Sequence, residues 1–370
     1  MSLHLFSGQT TIDFVGLRRY AYGLSIVFLL AGLVAILWNG GLKYGVDFAG
    51  GAAVQLQFQK PVEDENIKKA FAALDLPGLA IQQYGEDGRD YLLRFTAQDL
   101  TSDGIRSSVL SALKTSFQDN PATIERLEMV GPKVGADLRN AALEAMYFAV
   151  LLITVYISGR FEYRWMIAGI MAAALGAAMY VMGFAGLDMA YRVIGALALT
   201  LLLSWKLKLN YALGAIVGLI HDVAITLGLL AIMGKEIDLN IIAALMTLVG
   251  YSLNDTIIVY DRIRENLQSQ SEDNPEPLAV IINRSVNQTL ARTIMTSATT
   301  LIASLSLTIL GGGAIHDFAL TMTIGVFVGT FSSIFVSNPI LLLLGDTRQY
   351  LMARRQHDTD YERPGEHGVV

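Results

Sequence analysis

Eight stretches of this chain, near 20–38, 139–159, 165–185, 190–205, 211–233, 239–260, 291–311 and 318–344, stay apolar for roughly the length a helix needs to cross hydrocarbon. A segment in lipid must satisfy its own backbone N–H and C=O groups, and an α-helix does so without help from a neighbour. The expected fold class is therefore a polytopic α-helical membrane protein of about eight spans, with the lipid bilayer as its solvent. The composition agrees: 53% of residues are hydrophobic and the mean hydropathy is +0.46. A net charge of -6 with no basic stripe argues against nucleic acid as a partner. Cysteine is absent, which removes disulfides, thiolate metal sites and a cysteine nucleophile. The sequence carries no Walker-type loop and no metal-ligand cluster, so no cofactor, no metal and no enzymatic activity are expected. Movement must then be driven by an ion gradient or by partners. The first apolar run has no small-residue cleavage site behind it and reads as a retained anchor.

Between the first two spans, residues 39–138 have soluble character, with charges interleaved among short apolar elements. Alternation over 53–58 predicts a strand, and the periodicity of 63–74 predicts a helix. Residues 81–83 and 91–95, joined by Gly85-Glu-Asp-Gly88, read as a hairpin. Ser102-Asp103 then caps a helix to about Phe117, and 123–130 closes the domain as a strand. The order β-α-β-β-α-β predicts a small α+β ferredoxin-like domain. Cationic residues occupy every second loop of the chain: Arg18 and Arg19, Arg160 and Arg164, Lys206 and Lys208, Arg262 and Arg264, then Arg348, Arg354 and Arg355. The positive-inside rule makes those loops and both termini cytoplasmic and places the soluble domain on the opposite, periplasmic side. The expected organisation is a cytoplasmic N-terminus and first helix over 1–38, the periplasmic domain over 39–138, a transmembrane bundle over 139–345 and a cytoplasmic tail over 346–370. A cytoplasmic loop is expected over about 261–290, with 268–278 a solvated segment inside it.

One stretch reads as a duplication. Ser158-Gly-Arg-Phe-Glu-Tyr-Arg-Trp-Met-Ile-Ala-Gly169 resembles Ser204-Trp-Lys-Leu-Lys-Leu-Asn-Tyr-Ala-Leu-Gly214, and each continues into an apolar helix that ends before Leu187-Asp188-Met189 or Ile237-Asp238-Leu239. Two apolar helices with basic starts look alike in any case, so the alternative is plain convergence. An inserted hairpin over about 161–207 leaves the orientation of everything after it unchanged.

Inside lipid an ionisable group costs about 2.5–3.5 kcal/mol on insertion scales, so each one needs a reason to be there. Asp222, beside His221, falls near mid-membrane, Asp255 lies in the cytoplasmic half of its span, and Arg292 opens the next span at similar depth. Where a carboxylate faces an arginine, desolvation and the guanidinium pull the proton in opposite directions, and a change in the gap switches protonation. That is what a proton relay requires. Ser252 and Tyr251 share a helix face with Asp255 and are expected to support it, with Asn254 alongside. The competing reading is that Arg292 snorkels and Asp255 merely pairs with it. Asp222 reads equally as a relay member or an interhelical hydrogen-bonding group. His221 cannot face the same way as Asp222 on a helix and is expected to be a packed or internally satisfied histidine. Small residues at 172–178, at 311–313 and in Gly325-Val-Phe-Val-Gly329 allow close helix contact.

At this point an ordered set of motifs is on the page. Tyr44-Gly-Val-Asp-Phe-Ala-Gly-Gly51 follows the first span and Val130-Gly-Pro-Lys-Val-Gly135 closes the domain. His221-Asp222, Glu236-Ile-Asp-Leu239, Gly250-Tyr-Ser-Leu-Asn-Asp-Thr256, Tyr260-Asp-Arg-Ile-Arg-Glu-Asn266 and Thr289-Leu-Ala-Arg-Thr293 come after it in order. Over about 15–345 the chain resembles the SecF-type subunits of the SecD/SecF family, which is similar to the resistance-nodulation-division transporters. The resemblance implies a subunit that pairs with SecD and assists the SecYEG channel, using the proton-motive force to complete release of translocating unfolded polypeptide on the periplasmic side. It also implies that Asp255 is the proton-linked aspartate and Arg292 its arginine on the next helix. Gly45, Asp47, Gly50 and Gly51 form the structural motif that opens the domain, where paired glycines permit backbone geometry a side chain would block. Family members usually have six spans, so the hairpin at 161–207 departs from the pattern. Two other functions compete: a small-molecule or lipid exporter of the wider superfamily, and a non-transporting scaffold that holds emerging chains by strand addition.

Overall fold

The structure is a computed structural model that describes residues 12–343 apart from 73, 75, 77, 85–86, 96–101 and 271–275. The start of the predicted Gly85 turn, the middle of the 268–278 segment and the tail after Arg348 lie outside the described residues. Helix α1 (Phe14–Trp38) is followed by a single turn, α2 (Val46–Ala49), and the sheet domain. That domain comprises β1 (Gly51–Phe58), α3 (Asp64–Phe71), β2 (Ala80–Tyr84), β3 (Asp90–Phe95), α4 (Ser102–Ser116) and β4 (Ala122–Val130). Each element matches one predicted from alternation or helical period. The four strands pair antiparallel in the order β2-β3-β1-β4. Ile105, Val109 and Leu113 repeat every four residues along α4 and bury against the same face as Ile67 and Phe71 of α3 and Val54, Leu56, Tyr91 and Leu93 of the sheet.

The chain leaves the sheet without a linker: β4 ends at Val130 and α5 (Pro132–Glu162) begins with proline in its first turn, where a missing N–H costs nothing. Then follow α6 (Trp165–Phe184), α7 (Met189–Lys206), α8 (Asn210–Ile232), α9 (Leu239–Gln268), α10 (Leu278–Leu310) and α11 (Gly313–Ser332). A π-turn over Ser333–Ser337 passes into α12 (Asn338–Leu343). Among the described residues eight helices are long and apolar enough to cross a membrane, as expected. Their boundaries correct the sequence reading in one respect. Helices α9 and α10 run far into the stretch expected as a loop over 261–290, and α10 begins about four turns before Arg292. Hydropathy registers where a helix meets lipid and is blind to where it continues outside.

The hairpin expected over about 161–207 is α6 and α7, packed on α5 through Met171, Leu175, Met179, Val193 and Ala196. Its likeness to the next hairpin extends to the backbone. Tyr163 before α6 and Lys208 before α8 are the two non-glycine residues of the described chain with positive φ, at 54° and 55°. Gly186 and Gly234 turn the far ends at φ 71° and 70°. The Asp188 and Asp238 carboxylates then accept from the first-turn N–H groups of Ala190 and Ile241.

Two contacts join the parts. Helices α1 and α8 cross at Gly32 and Gly228, where a Cβ on Gly32 would lie 2.6 Å from the Gly228 Cα. The sheet domain meets the membrane bundle through a short parallel bridge between Tyr44 and Ile237. The Gly45 N–H donates to the Ile237 carbonyl over 2.9 Å, and Leu239 N–H donates to the Asp47 carboxylate over 3.0 Å. Arg94 of β3 pairs with Glu236 at 2.6 Å, and Lys235 with Asp317 of α11 at 2.6 Å. Gly50, at φ 76°, lies under α5, where a Cβ would come 2.8 Å from the Pro132 Cα.

Gly50→Val is expected to destabilise by about 2 kcal/mol or more, because it meets both a left-handed backbone and a clash. Gly131→Val, at φ -67° with open space around its Cβ, is expected to change thermal unfolding of the solubilised protein little. Burial raises the pKa of Asp238, against the Ile241 N–H that lowers it, and the neighbouring Asp47 and Asp317 add to the rise. A raised carboxylate stabilises the fold most when protonated, so its contribution falls as pH rises through its folded pKa. Asp238→Asn keeps an acceptor for Ile241 and removes the charge. Its melting temperature should gain on wild type as pH rises above about 4, the ordinary aspartate pKa, and a gap that does not widen with pH would contradict this assignment.

Candidate functional site

Helices α8, α9, α10 and α11 bring two carboxylates and a set of hydroxyls together inside the apolar bundle. Asp222 of α8 is 1% exposed. One of its oxygens accepts from Ser252 of α9 at 2.5 Å and from Ser332 of α11 at 2.8 Å, and the other lies 2.9 Å from Nδ1 of His221. His221 Nε2 lies 2.8 Å from the hydroxyl of Ser25 on α1. The whole cluster is buried, so it ties α1, α8, α9 and α11 together rather than presenting a nucleophile. Space for it comes from Gly329, whose Cβ would lie 3.1 Å from the Ser252 Cβ and 3.4 Å from an Asp222 oxygen. The glycine pair of α11 thus has a definite role, with Gly325 set against Leu248.

Asp255, also 1% exposed, is held far more loosely. Thr296 and Ser297 of α10 donate to its two oxygens at 3.3 and 3.4 Å. Ser297 accepts in turn from Thr330 of α11 at 2.6 Å and from the Tyr251 hydroxyl at 3.4 Å. The two carboxylates are therefore linked through nearby residues: the adjacent Tyr251 and Ser252 on α9, and Thr330 and Ser332, two positions apart, on α11.

The sequence expectations fare unevenly. Ser252 bonds Asp222 rather than Asp255, because a helix residue three positions away can be turned toward a different neighbour by the helix it packs on. Tyr251 reaches Asp255 only through Ser297. His221 does contact Asp222, contrary to expectation, since its long ring folds back along the helix; it is satisfied internally, as expected. Asn254 is exposed. Arg292 is exposed on α10 and, among the described residues, has no carboxylate within ion-pair distance, Asp255 included; it acts on Asp255 only electrostatically. Ser25, Thr296, Ser297, Thr330 and Ser332 were not singled out in the sequence. Hydroxyls in helices usually bond their own backbone, as Thr330 also does to Val326, so no pattern marks the few that turn inward.

Comparison with known proteins settles the lineage. The model of "Protein export membrane protein SecD/SecF, C-terminal" matches residues 109–203 and 188–347, and that of the "SecD/SecF GG Motif" matches 35–62. The chain belongs to the SecD/SecF protein export family. The first family match is met twice, with an overlap at α7, and the glycine motif contains Gly50 and Gly51. Protein translocase subunit SecF of Magnetococcus marinus is 38% identical over 345 residues, covering 92% of this chain and 94% of the relative. That of Escherichia coli O157:H7 is 34% identical over 359 residues, with 96% and 95% covered. The crystal structure of SecDF from Thermus thermophilus, a translocon-associated membrane protein, matches with a TM-score of 0.69 at 31% identity, over 90% of this chain. A super-membrane-facing form of SecDF matches at 0.51 and 30% identity over 95%. This chain spans 38% and 40% of those two SecDF chains. Like its relatives in the family, the chain is a multi-pass membrane protein.

The contrast between the carboxylates is testable. Asp222→Ala leaves Ser252, Ser332 and His221 without their shared acceptor and should cost about 2–3 kcal/mol in unfolding of the solubilised protein. Asp255→Asn loses only long hydrogen bonds and should cost less than about 1 kcal/mol. Equal costs would show that the two sites are equally structural.

Proposed function

We propose that this chain is the SecF-type half of a SecD–SecF unit in the bacterial inner membrane, and that it assists SecYEG by using the proton-motive force to complete release of translocating polypeptide. The observation that carries this reading is Asp255: a buried carboxylate in a span, held by two long hydroxyl contacts, with a cation nearby but outside ion-pair reach. A structural aspartate in lipid is expected to be tightly bonded, as Asp222 is. Asp255 is left free to change partner when α9 and α10 shift, and a change in its distance to Arg292 changes which protonation state is favoured. The exposed Asn254 and Arg292 lie on the side of α9 and α10 that a homologous SecD half would cover, which would enclose the pair.

In this reading the sheet domain is the ferredoxin-like split motif and is periplasmic, as the cationic loops on the opposite side support; both termini are then cytoplasmic. The bridge through Tyr44 and Ile237, with Asp47 at the first N–H of α9, gives the domain a fixed hold on the helix that carries Asp255. The scaffold reading has no use for a loosely held carboxylate. The small-molecule exporter reading needs a ligand pocket at the domain, whereas the cavity among Gly45, Asp47, Arg94 and Asp317 is about 120 Å³ and lined with charges.

Export of a secreted precursor into inverted vesicles carrying this chain, SecD and SecYEG at fixed ATP tests the proposal. Asp255→Asn is expected to remove the gradient-dependent completion step while co-purification with SecD stays intact. Unchanged completion would overturn the relay and favour the scaffold.

A further inference from the structure

We propose that the inserted hairpin carries a binding site for a phospholipid with a primary-amine headgroup, the phosphate held by Arg192 and the ammonium by Glu144. Helix α5 leaves the sheet domain, α6 returns and α7 departs again, so the turn between α6 and α7 lies in the leaflet on the domain's side. A cavity of about 390 Å³ opens there between α5, α6 and α7. Arg192, in the first turn of α7, lays its guanidinium against Gly183: a Cβ on that glycine would come 2.8 Å from Nη1, so the missing side chain is the room the cation occupies. The Arg192 Nε is buried without a hydrogen-bond partner, and among the described residues no carboxylate lies within ion-pair distance of the guanidinium. A cation so placed in a membrane span calls for an anion from outside the chain.

Glu144 lines the same cavity from α5. It does not pair with Arg192, so the cavity presents opposite charges with a gap between them. That arrangement suits a zwitterion whose phosphate and ammonium are a few bonds apart. A purely anionic headgroup would leave Glu144 facing a like charge, and a quaternary ammonium has no hydrogen to donate to it. Below the charges the wall is apolar, with Phe148 and Met179, and Gly176 leaves open space where a Cβ would stand, a slot for the first part of an acyl chain. Exposed Tyr180, Phe184 and Tyr191 flank the site, as aromatic rings do at the level of headgroups.

The full chain, released from nanodiscs containing equal amounts of phosphatidylethanolamine, phosphatidylcholine and phosphatidylglycerol, can be examined by native mass spectrometry. The expected result is retained phosphatidylethanolamine in about tenfold preference over the other two. Arg192→Gln should lower retention of all three about tenfold. Glu144→Gln should abolish only the preference for the amine. Gly176→Leu, which fills the slot without touching either charge, should weaken retention with the order of preference kept. Equal retention of the three lipids by wild type, or retention unchanged in Arg192→Gln, overturns the proposal. Neither readout depends on export activity.

Discussion

The arrangement of the bundle depends on what a carboxylate needs when it is buried at mid-span. Asp222 accepts from α9 and α11 and meets the imidazole that reaches α1. Without those partners its burial would add several kilocalories to the cost of insertion. With them it fixes the mutual rotation of four helices, because hydrogen bonds are directional where packing against lipid-like side chains is not. The glycines follow from this. Gly329 lets α11 approach Ser252, and Gly32 and Gly228 let α1 come close enough to α8 for Ser25 to reach His221.

Against that fixed point Asp255 is the loosely held part. Its hydroxyl partners sit at the outer limit of hydrogen bonding, and they sit on α10, a helix exposed along much of its length. On α9 the two sets of hydroxyls stand one residue apart, at Tyr251 and Ser252, and on α11 two apart, at Thr330 and Ser332. A tight centre and a loose neighbour on the same two helices suit the proposed relay, in which α10 would move while α8, α9 and α11 hold together.

Much of this could be read in the residues. Alternation over β1 and β3, the four-residue repeat of α4 and the length of the apolar runs each report a local physical requirement, and each element appears where its pattern lies. The depth of Asp222 and Asp255 follows from counting along a helix. What depends on rotation about the helix axis was not readable: Ser252 faces Asp222, where Gly329 of the distant helix α11 leaves room beside it. The same holds for Arg292, which is exposed on α10 and makes no ion pair with Asp255. The hairpin over 161–207 was legible because 158–169 resembles 204–214 and Leu187-Asp188-Met189 resembles Ile237-Asp238-Leu239; that Tyr163 and Gly186 match Lys208 and Gly234 in positive φ is visible only in the structure.

Helix α9 joins these parts mechanically. Its first N–H is held by Asp47 of the sheet domain's entry turn and its third by Asp238, while Ser252 and Asp255 sit about 20–24 Å further along the same rod. A helix without proline over that distance transmits a tilt at its end with little loss. The Arg94–Glu236 and Lys235–Asp317 pairs hold that end on two sides, one to the sheet and one to α11. Since α11 also carries Thr330 and Ser332, the junction grips both helices that serve the two carboxylates. In the proposed reading a displacement of the sheet domain would act on the hydroxyls around Asp255 through α9 and α11 together, while Asp222 would resist their separation.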